Sequence, residues 1–508
     1  MTSSNDDSTA VIPQPPFDYA GQSTNDERLL DVTDITTTIT EQEEKRQEAY
    51  DLSRQFHAAI IQAKQQLEQT KSLSTATSQA TDLDSFLQKI IPTPTENGNQ
   101  EEEASSSSSS RHHGPRPANL SQRMEEYVRY RAYQNFLQTG RLIAPSAFST
   151  GSDDFVFVSD EEYLAGACMG LTQDLQRYGL GRATCRDASS VALASQLVTQ
   201  VNEYLLGFDF RNGPLRRKYD SVKYSVKALE TLLYELAITG TPSTREEEQD
   251  TAEHHKRQKL DSSASLTLLP MDELDALRLR VAHRDELRES LIKKSRDGQK
   301  AAKQAIYALH RGDVKRSTQL LEQCRDCLLT QLFPIVEQDP MLRQSGSLSG
   351  VLEEYVEAEL FATWLYGPDR QDSVGGTSTP SGILRMPADF DGLDLQVEEY
   401  LGGLCDLTGE IGRFAVQRGT ARDKEGIQLC LETNSKIWHT LQSMERLPSS
   451  SSGGGVGKKM DQLRRSVEKL ERMMYEMSLS EATGRRNAIQ SSSMEEIMDI
   501  KNGRDDGE

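Results

Sequence analysis

Two stretches of this sequence carry acidic pairs at spacings that can do chemistry. In LEEYVEAELF, Glu354 and Glu357 stand three residues apart. In CDLTGE, Asp406 and Glu410 stand four apart, inside the otherwise apolar run VEEYLGGLCDLTGEIGRF. Both spacings put two carboxylates on one face of an α-helix. If the two faces meet, four carboxylates converge, and like charges so placed repel and raise one another's pKa. A hard divalent cation removes that penalty, and carboxylate oxygens suit Mg²⁺ or Mn²⁺. Such a site activates water and stabilises charge on a phosphodiester undergoing hydrolysis. The same spacings are common on solvated helix faces, so spacing alone leaves both readings open. Asp406 lies between Leu404 and Leu407, and Gly402, Gly403 and Gly409 suit close helix approach or dry packing.

A basic run stands apart from the acids. In FRNGPLRRKYDSVKYSVK, Arg216, Arg217, Lys218, Lys223 and Lys227 cluster around Tyr219 and Tyr224. Basic residues interleaved with aromatics suit phosphate contacts and base stacking. The alternative is a solvated helix face with ordinary i, i+4 pairs.

The elements that must position these residues are helices. Apolar residues recur at three and four, as in EEKRQEAYDLSRQFHAAIIQAKQQLEQT, and no β-branched alternating run is bounded by turn dipeptides. The expected fold class is all-α. The chain also repeats itself. EEYV occurs at Glu125–Val128 and Glu353–Val356, and EEYLAGAC at Glu161–Cys168 answers EEYLGGLC at Glu398–Cys405. LTQDLQRYGLGRATCRD from Leu171 answers LTGEIGRFAVQRGTARD from Leu407, and LRRKYDSVKYSVKALETLLYELAI answers VGKKMDQLRRSVEKLERMMYEMSL from Val456. The order is kept and the offsets are nearly constant. This implies two tandem helical domains at 26–240 and 266–480. Polar, low-complexity segments at 93–117 and 241–265 read as disordered insert and linker, as do tails at 1–25 and 481–508. Loops are expected at 368–385 and 449–457.

The two copies differ at the acids. Arg129 stands where the second copy has Glu357, and Asp174 stands opposite Glu410. Asp406 falls opposite Met169 or Gly170, because the offset changes by one residue there. The first copy thus lacks two of the four carboxylates.

Composition sets broad limits. The chain has 508 residues, 36% hydrophobic and 27% charged, with net charge −21. That charge argues against indiscriminate polyanion binding but leaves room for a locally basic surface. The six cysteines form no framework, and Cys324 and Cys327 make a lone C-x-x-C in a helical stretch, so reduced thiols are expected. The N-terminus lacks the features of a signal peptide, and no apolar run approaches the ~20 residues of a membrane span.

At these residues a family resemblance emerges. Asn212–Gly240, EYLAGACMGLTQDL and FLQTGRLI (Phe136–Ile143) resemble translin. The second copy resembles its paralogue, translin-associated factor X, through EYVEA (Glu354–Ala358), EEYLGGLCDLTGEIGR (Glu398–Arg413) and KLERMMYEM (Lys469–Met477). The resemblance implies a seven-helix fold in each copy and assembly into barrel-like oligomers, by self-association or with separate translin subunits. It implies binding of single-stranded RNA and DNA, and a Mg²⁺-dependent endoribonuclease activity in the second copy, with roles in RNA silencing and tRNA processing. Carried over by motif, Glu354, Glu357, Asp406 and Glu410 are the metal-binding catalytic residues, and Arg216, Arg217 and Lys218 contact nucleic acid. Mg²⁺, or Mn²⁺ in its place, is the implied cofactor. A non-catalytic nucleic-acid-binding protein or helical scaffold is the alternative. The chain departs from the family pattern by joining the two paralogues. HHKRQKLD (His254–Asp261) is a weak nuclear-localisation candidate, and both cytoplasm and nucleus are the expected locations.

Overall fold

The computed structural model describes residues 33–70, 83, 120–148, 158–210, 214–239, 268–368, 380–444 and 456–483. Among them all regular structure is helical and no strand is present, as the periodicity implies. The segments at 1–25, 93–117 and 241–265 lie outside the described residues, and so do His254–Asp261, most of the two loops, and the tail beyond residue 483.

The first copy supplies α1 (Thr33–Thr70), α2 (Leu120–Thr139), α3 (Asp160–Tyr163), α4 (Leu171–Thr184), α5 (Ala188–Leu205) and α6 (Pro214–Thr239). The second supplies α7 (Met271–His310), α8 (Val314–Cys327), α9 (Phe333–Gln338), α10 (Gly346–Tyr366), α11 (Val397–Ala421), α12 (Lys424–Ser443) and α13 (Val456–Thr483). The chain divides into two compact units. One takes Glu41–Asp297 and Asp326–Ser349; the other takes α1 as far as Thr40 together with Gly298–Arg325 and the described part of Gly350–Glu508. The long helices α1 and α7 therefore each contribute to both units.

The first half of α7 shows why the change of unit falls within a helix. Leu268, Leu269, Leu274 and Leu277 belong to the same buried core as Val198, Val201 and Leu205 of α5. Tyr204 donates its hydroxyl to the carbonyl of Leu274 at 2.6 Å. Arg280 makes a two-pronged bond to Asp160 at 2.6 and 3.0 Å, and Arg284 bridges Glu161 and Asp339 at 2.6 Å each. Burial and paired charge thus tie the start of α7 to the first copy's core.

Three local devices recur in both copies at the repeat offsets. Glu162 closes a capping box on Ser159, and Glu399 closes one on Gln396. Arg186 and Arg422 both take left-handed backbone with φ of 59°, followed by Asp187 and Asp423, which accept from the backbone N–H of Ser190 and Gly426 to start the next helix. Gly166 and Gly403 sit at equivalent helix crossings. A Cβ on Gly403 would lie 2.8 Å from the carbonyl of Glu353, and one on Gly166 would lie 2.5 Å from that of Glu125, so only glycine permits the approach. Gly402 is equally close to Glu353, whereas Gly409 has open space around it, with nothing nearer than 4.0 Å.

One device is not shared. Between α3 and α4 the helix is π-wound over Leu164–Gly170, while α11 is regular through the equivalent stretch. This is the place where the first copy has one residue more than the second. A π-turn absorbs a single inserted residue without ending the helix. Past it, Thr172 donates to the carbonyl of Met169 and Thr408 to that of Cys405, so Gly170 takes the register position of Asp406.

Candidate active site

α10 explains how a carboxylate becomes buried here. Val351, Leu352, Val356, Leu360, Phe361 and Trp364 are all fully buried, so the helix is apolar almost all round and enclosed. Glu357 lies on its inner side and is only 8% exposed. Burial pushes its carboxyl up to about 9, and the charges of Asp406, Glu410 and Glu354 push in the same direction against the opposing pull of Lys459. The charges of Glu354 on the same helix, and of Asp406 and Glu410, which lie 49 and 53 residues further along on α11, thus reach Glu357. Glu357 itself has no hydrogen-bond or ion-pair partner among the described residues.

The other three acids each face a base. Glu354 pairs with Lys303 at 2.9 Å, and Asp406 with Lys459 at 2.7 Å. Glu410 meets Nε2 of His310 at 2.5 Å, with the exposed Arg413 at 3.1 Å. The His310 side chain is 7% exposed, and its ring packs on Phe361 at 4.8 Å between centroids. Its Nδ1 is buried without a partner among the described residues. No three of the His, Cys, Asp and Glu side chains among the described residues are gathered tightly enough to grip a metal ion. The physical reason is the basic partners: charge acts across the low-dielectric interior at distances well beyond a coordination bond, so the acids couple while pointing at Lys303, Lys459 and His310. The donor set nonetheless fits a hard divalent cation, since it is all carboxylate and includes Glu357, a buried acid with no basic group bonded to it among the described residues.

Sequence reading missed Lys303, His310, Lys459 and Glu353. Glu353 shares Lys459 with Asp406, at 2.8 Å. A signal for the first two exists. Lys303 and His310 are seven apart on α7, and His57 and Lys64 are seven apart on α1, at one common offset from them.

That offset has a structural counterpart. In the first copy His57 meets Glu126 at 2.6 Å and Lys64 meets Asp174 at 3.0 Å, matching Lys303–Glu354 and His310–Glu410. Lys218 pairs with Glu125, matching Lys459–Glu353. What differs is the centre. Arg129 grips Asp174 with two hydrogen bonds, 2.6 and 2.8 Å. Burial pushes Asp174 up, but the hydrogen bonds and charges of Arg129 and Lys64 outweigh it, so its carboxyl is held below the usual range. A side-chain atom on Gly170 would approach Arg129 Cδ to 3.0 Å. The guanidinium thus leaves little room for a counterpart of Asp406.

The basic run lies on α6. Arg216 is 48% exposed, 3.4 Å from Asp220 and stacked over Tyr219. Arg217 is exposed, as are Lys223 and Lys227, and Lys223 lies over the exposed ring of Tyr224. Lys218 turns the other way, to Glu125. No disulfide joins any of the six cysteines, all of them among the described residues, and no helix among those residues is long and apolar enough to cross a membrane.

Similar proteins carry familiar names. Human translin is 31% identical over 80 residues, 16% of this chain and 35% of that protein; chicken translin matches over the same length, 34% of its own. The alignment thus spans about a third of these curated relatives. The translin-associated protein X homologue of Schizosaccharomyces pombe is 24% identical over 207 residues, 39% of this chain and 84% of that protein. Among solved structures, AfC3PO with duplex RNA is 20% identical, covering 42% of this chain and 99% of that one, at a TM-score of 0.32. The Translin family matches residues 31–240 and 286–481, most of the chain and both copies, and the chain belongs to that family.

Proposed function

We propose that this protein binds single-stranded RNA and DNA and that its second copy is a Mg²⁺-dependent endoribonuclease. The observation that carries the reading is Glu357: a carboxyl only 8% exposed on α10, which burial pushes up first and the charges of Asp406, Glu410 and Glu354 push further. Glu354, Glu357, Asp406 and Glu410 would hold the ion, which when bound would supply Lewis acidity to the scissile phosphate and a lowered pKa to the attacking water. The chain's own residues do the rest. The closed core around Trp364 and Phe361 fixes α10, and the glycine crossing holds α11 against it, so the acids are positioned by rigid elements. His310 and Lys303 orient Glu410 and Glu354 from α7. On α6, Arg216, Arg217, Lys223 and Lys227 offer phosphate contacts beside the exposed face of Tyr224. Family membership supports roles in RNA silencing and tRNA processing, assembly into a larger oligomer, and residence in cytoplasm and nucleus. Cleavage of single-stranded RNA with Mg²⁺ against EDTA tests the reading, with Glu410→Ala as the paired variant. Metal-independent cutting, or full activity in the variant, overturns it. Tight, salt-sensitive binding with no cutting favours a purely binding protein.

A further inference from the structure

Lys459 stands at the junction of the acidic cluster and the scaffold. Its ammonium donates to three acceptors: Asp406 at 2.7 Å, Glu353 at 2.8 Å and the carbonyl of Gly402 at 3.2 Å. An ammonium has three N–H donors, so all three are used. The side chain is 21% exposed, which makes the contacts less screened than a surface pair. Lys218, its counterpart in the first copy, pairs with Glu125 but has Gly170 at the place of Asp406. The lysine–glutamate pair is thus common to both copies, and only in the second does a further carboxylate meet the same lysine.

That addition has a cost for any cation. A positive charge already bonded to Asp406 repels a second one and competes for the same carboxylate oxygens. It also has a benefit. Five carboxylates, Glu353, Glu354, Glu357, Asp406 and Glu410, are brought together within one unit, and Lys459 offsets two of them without help from solution. We propose that Lys459 is an internal counter-cation that lets the acidic cluster fold without a metal and that competes with a divalent ion for Asp406, setting the affinity of the site. This rests on the metal-site reading above and goes beyond it by naming the residue that opposes the ion.

The test is Mn²⁺ titration of the full chain by calorimetry, with melting temperature followed in Mg²⁺. Lys459→Gln should bind Mn²⁺ about tenfold more tightly than the natural chain, the scale of a typical coupling between two sites. It should also gain more melting temperature from Mg²⁺. Lys459→Arg keeps the charge and should bind within about twofold of the natural chain, since Coulomb repulsion is retained. If Lys459→Gln does not fold, Lys459→Gln with Glu353→Gln leaves no unpaired charge at position 353 and carries the same expectation. Equal or weaker Mn²⁺ binding in the neutral variants overturns the proposal. Glu357→Gln separates the two layers of the argument. If the natural chain binds Mn²⁺ and Glu357→Gln does not, yet the neutral lysine variants bind no tighter, only the role of Lys459 falls. If neither the natural chain nor the Lys459 variants bind Mn²⁺, the metal site falls with it.

Discussion

Arg129 and Glu357 occupy the same position in two copies of one helix, and their surroundings differ in sign. Around Arg129 a buried acid finds a guanidinium and an ammonium. Around Glu357 a buried acid finds three more acids. Yet the outer ring of the cluster is common to both: three equivalent carboxylates, each held by a base at an equivalent position. The comparison teaches that the scaffold and the chemistry are separable. The ring of ion pairs is common to both copies, and the residues at two positions decide whether the centre is satisfied from within or left short of positive charge.

The largest effect expected from breaking that contrast is on cleavage. Glu357→Gln and Glu410→Ala should each lower Mg²⁺-dependent cutting of single-stranded RNA by about 100-fold or more, the scale seen when one preorganised electrostatic group is removed. Steady-state cleavage of a labelled oligonucleotide measures this, and near-normal rates would remove these residues from the reaction. Next in size is stability. Arg129→Ala strips the bidentate partner from a 3% exposed Asp174 and should cost about 3 kcal/mol in urea unfolding, as for a broken buried pair. Glu357→Gln, which replaces an uncompensated acid by a neutral isostere, should be neutral or stabilising at pH 8.

The pH dependence sharpens the same contrast. Glu357 has a folded value of about 9, above its unfolded value near 4.5. The folded state therefore holds a proton that the unfolded chain has lost across that window. Its contribution is full below pH 4.5 and is lost as pH rises toward 9, with a slope of up to about 1.4 kcal/mol per pH unit. Glu357→Gln should flatten that slope. Asp174 runs the other way: its folded value is depressed, so its contribution is present above the unfolded value and is lost as pH falls through the folded one. Thermal melts between pH 4 and 9 on the natural chain and the Arg129→Ala and Glu357→Gln variants would separate the two copies.

The smallest effects concern α6. Arg217→Ala should weaken single-strand binding and reduce the slope of log affinity against log salt by about one, the signature of one lost phosphate contact. Lys218→Ala should leave that slope nearly unchanged, because its ammonium is committed to Glu125, and should cost no more than about 1 kcal/mol as a half-exposed pair. A reversed result, with Lys218 governing the slope, would mean that the pair opens on binding.

Much of this protein is written locally. Helical periodicity specified an all-α fold because a 3.6-residue apolar repeat has no other way to bury itself. The ordered blocks from EEYV to KLERMMYEM specified two copies, and the i, i+3 and i, i+4 spacings specified which acids share a helix face. Even the π-turn was foreshadowed, as the one-residue change of offset between Cys168 and Leu171, though not as a conformation.

What no local pattern could decide was the company each charge keeps. Lys303 and His310 read as unremarkable helix residues until α7 packs beside α10 and α11. Lys459 is one more lysine on a helix until folding aims it at Asp406 and Glu353. The raised pKa of Glu357 exists only because an almost wholly apolar helix carries it out of water and a second helix brings Asp406 and Glu410 near it. Spacing along a chain fixes faces, whereas desolvation and charge depend on distances between faces, and those distances are set by tertiary packing alone.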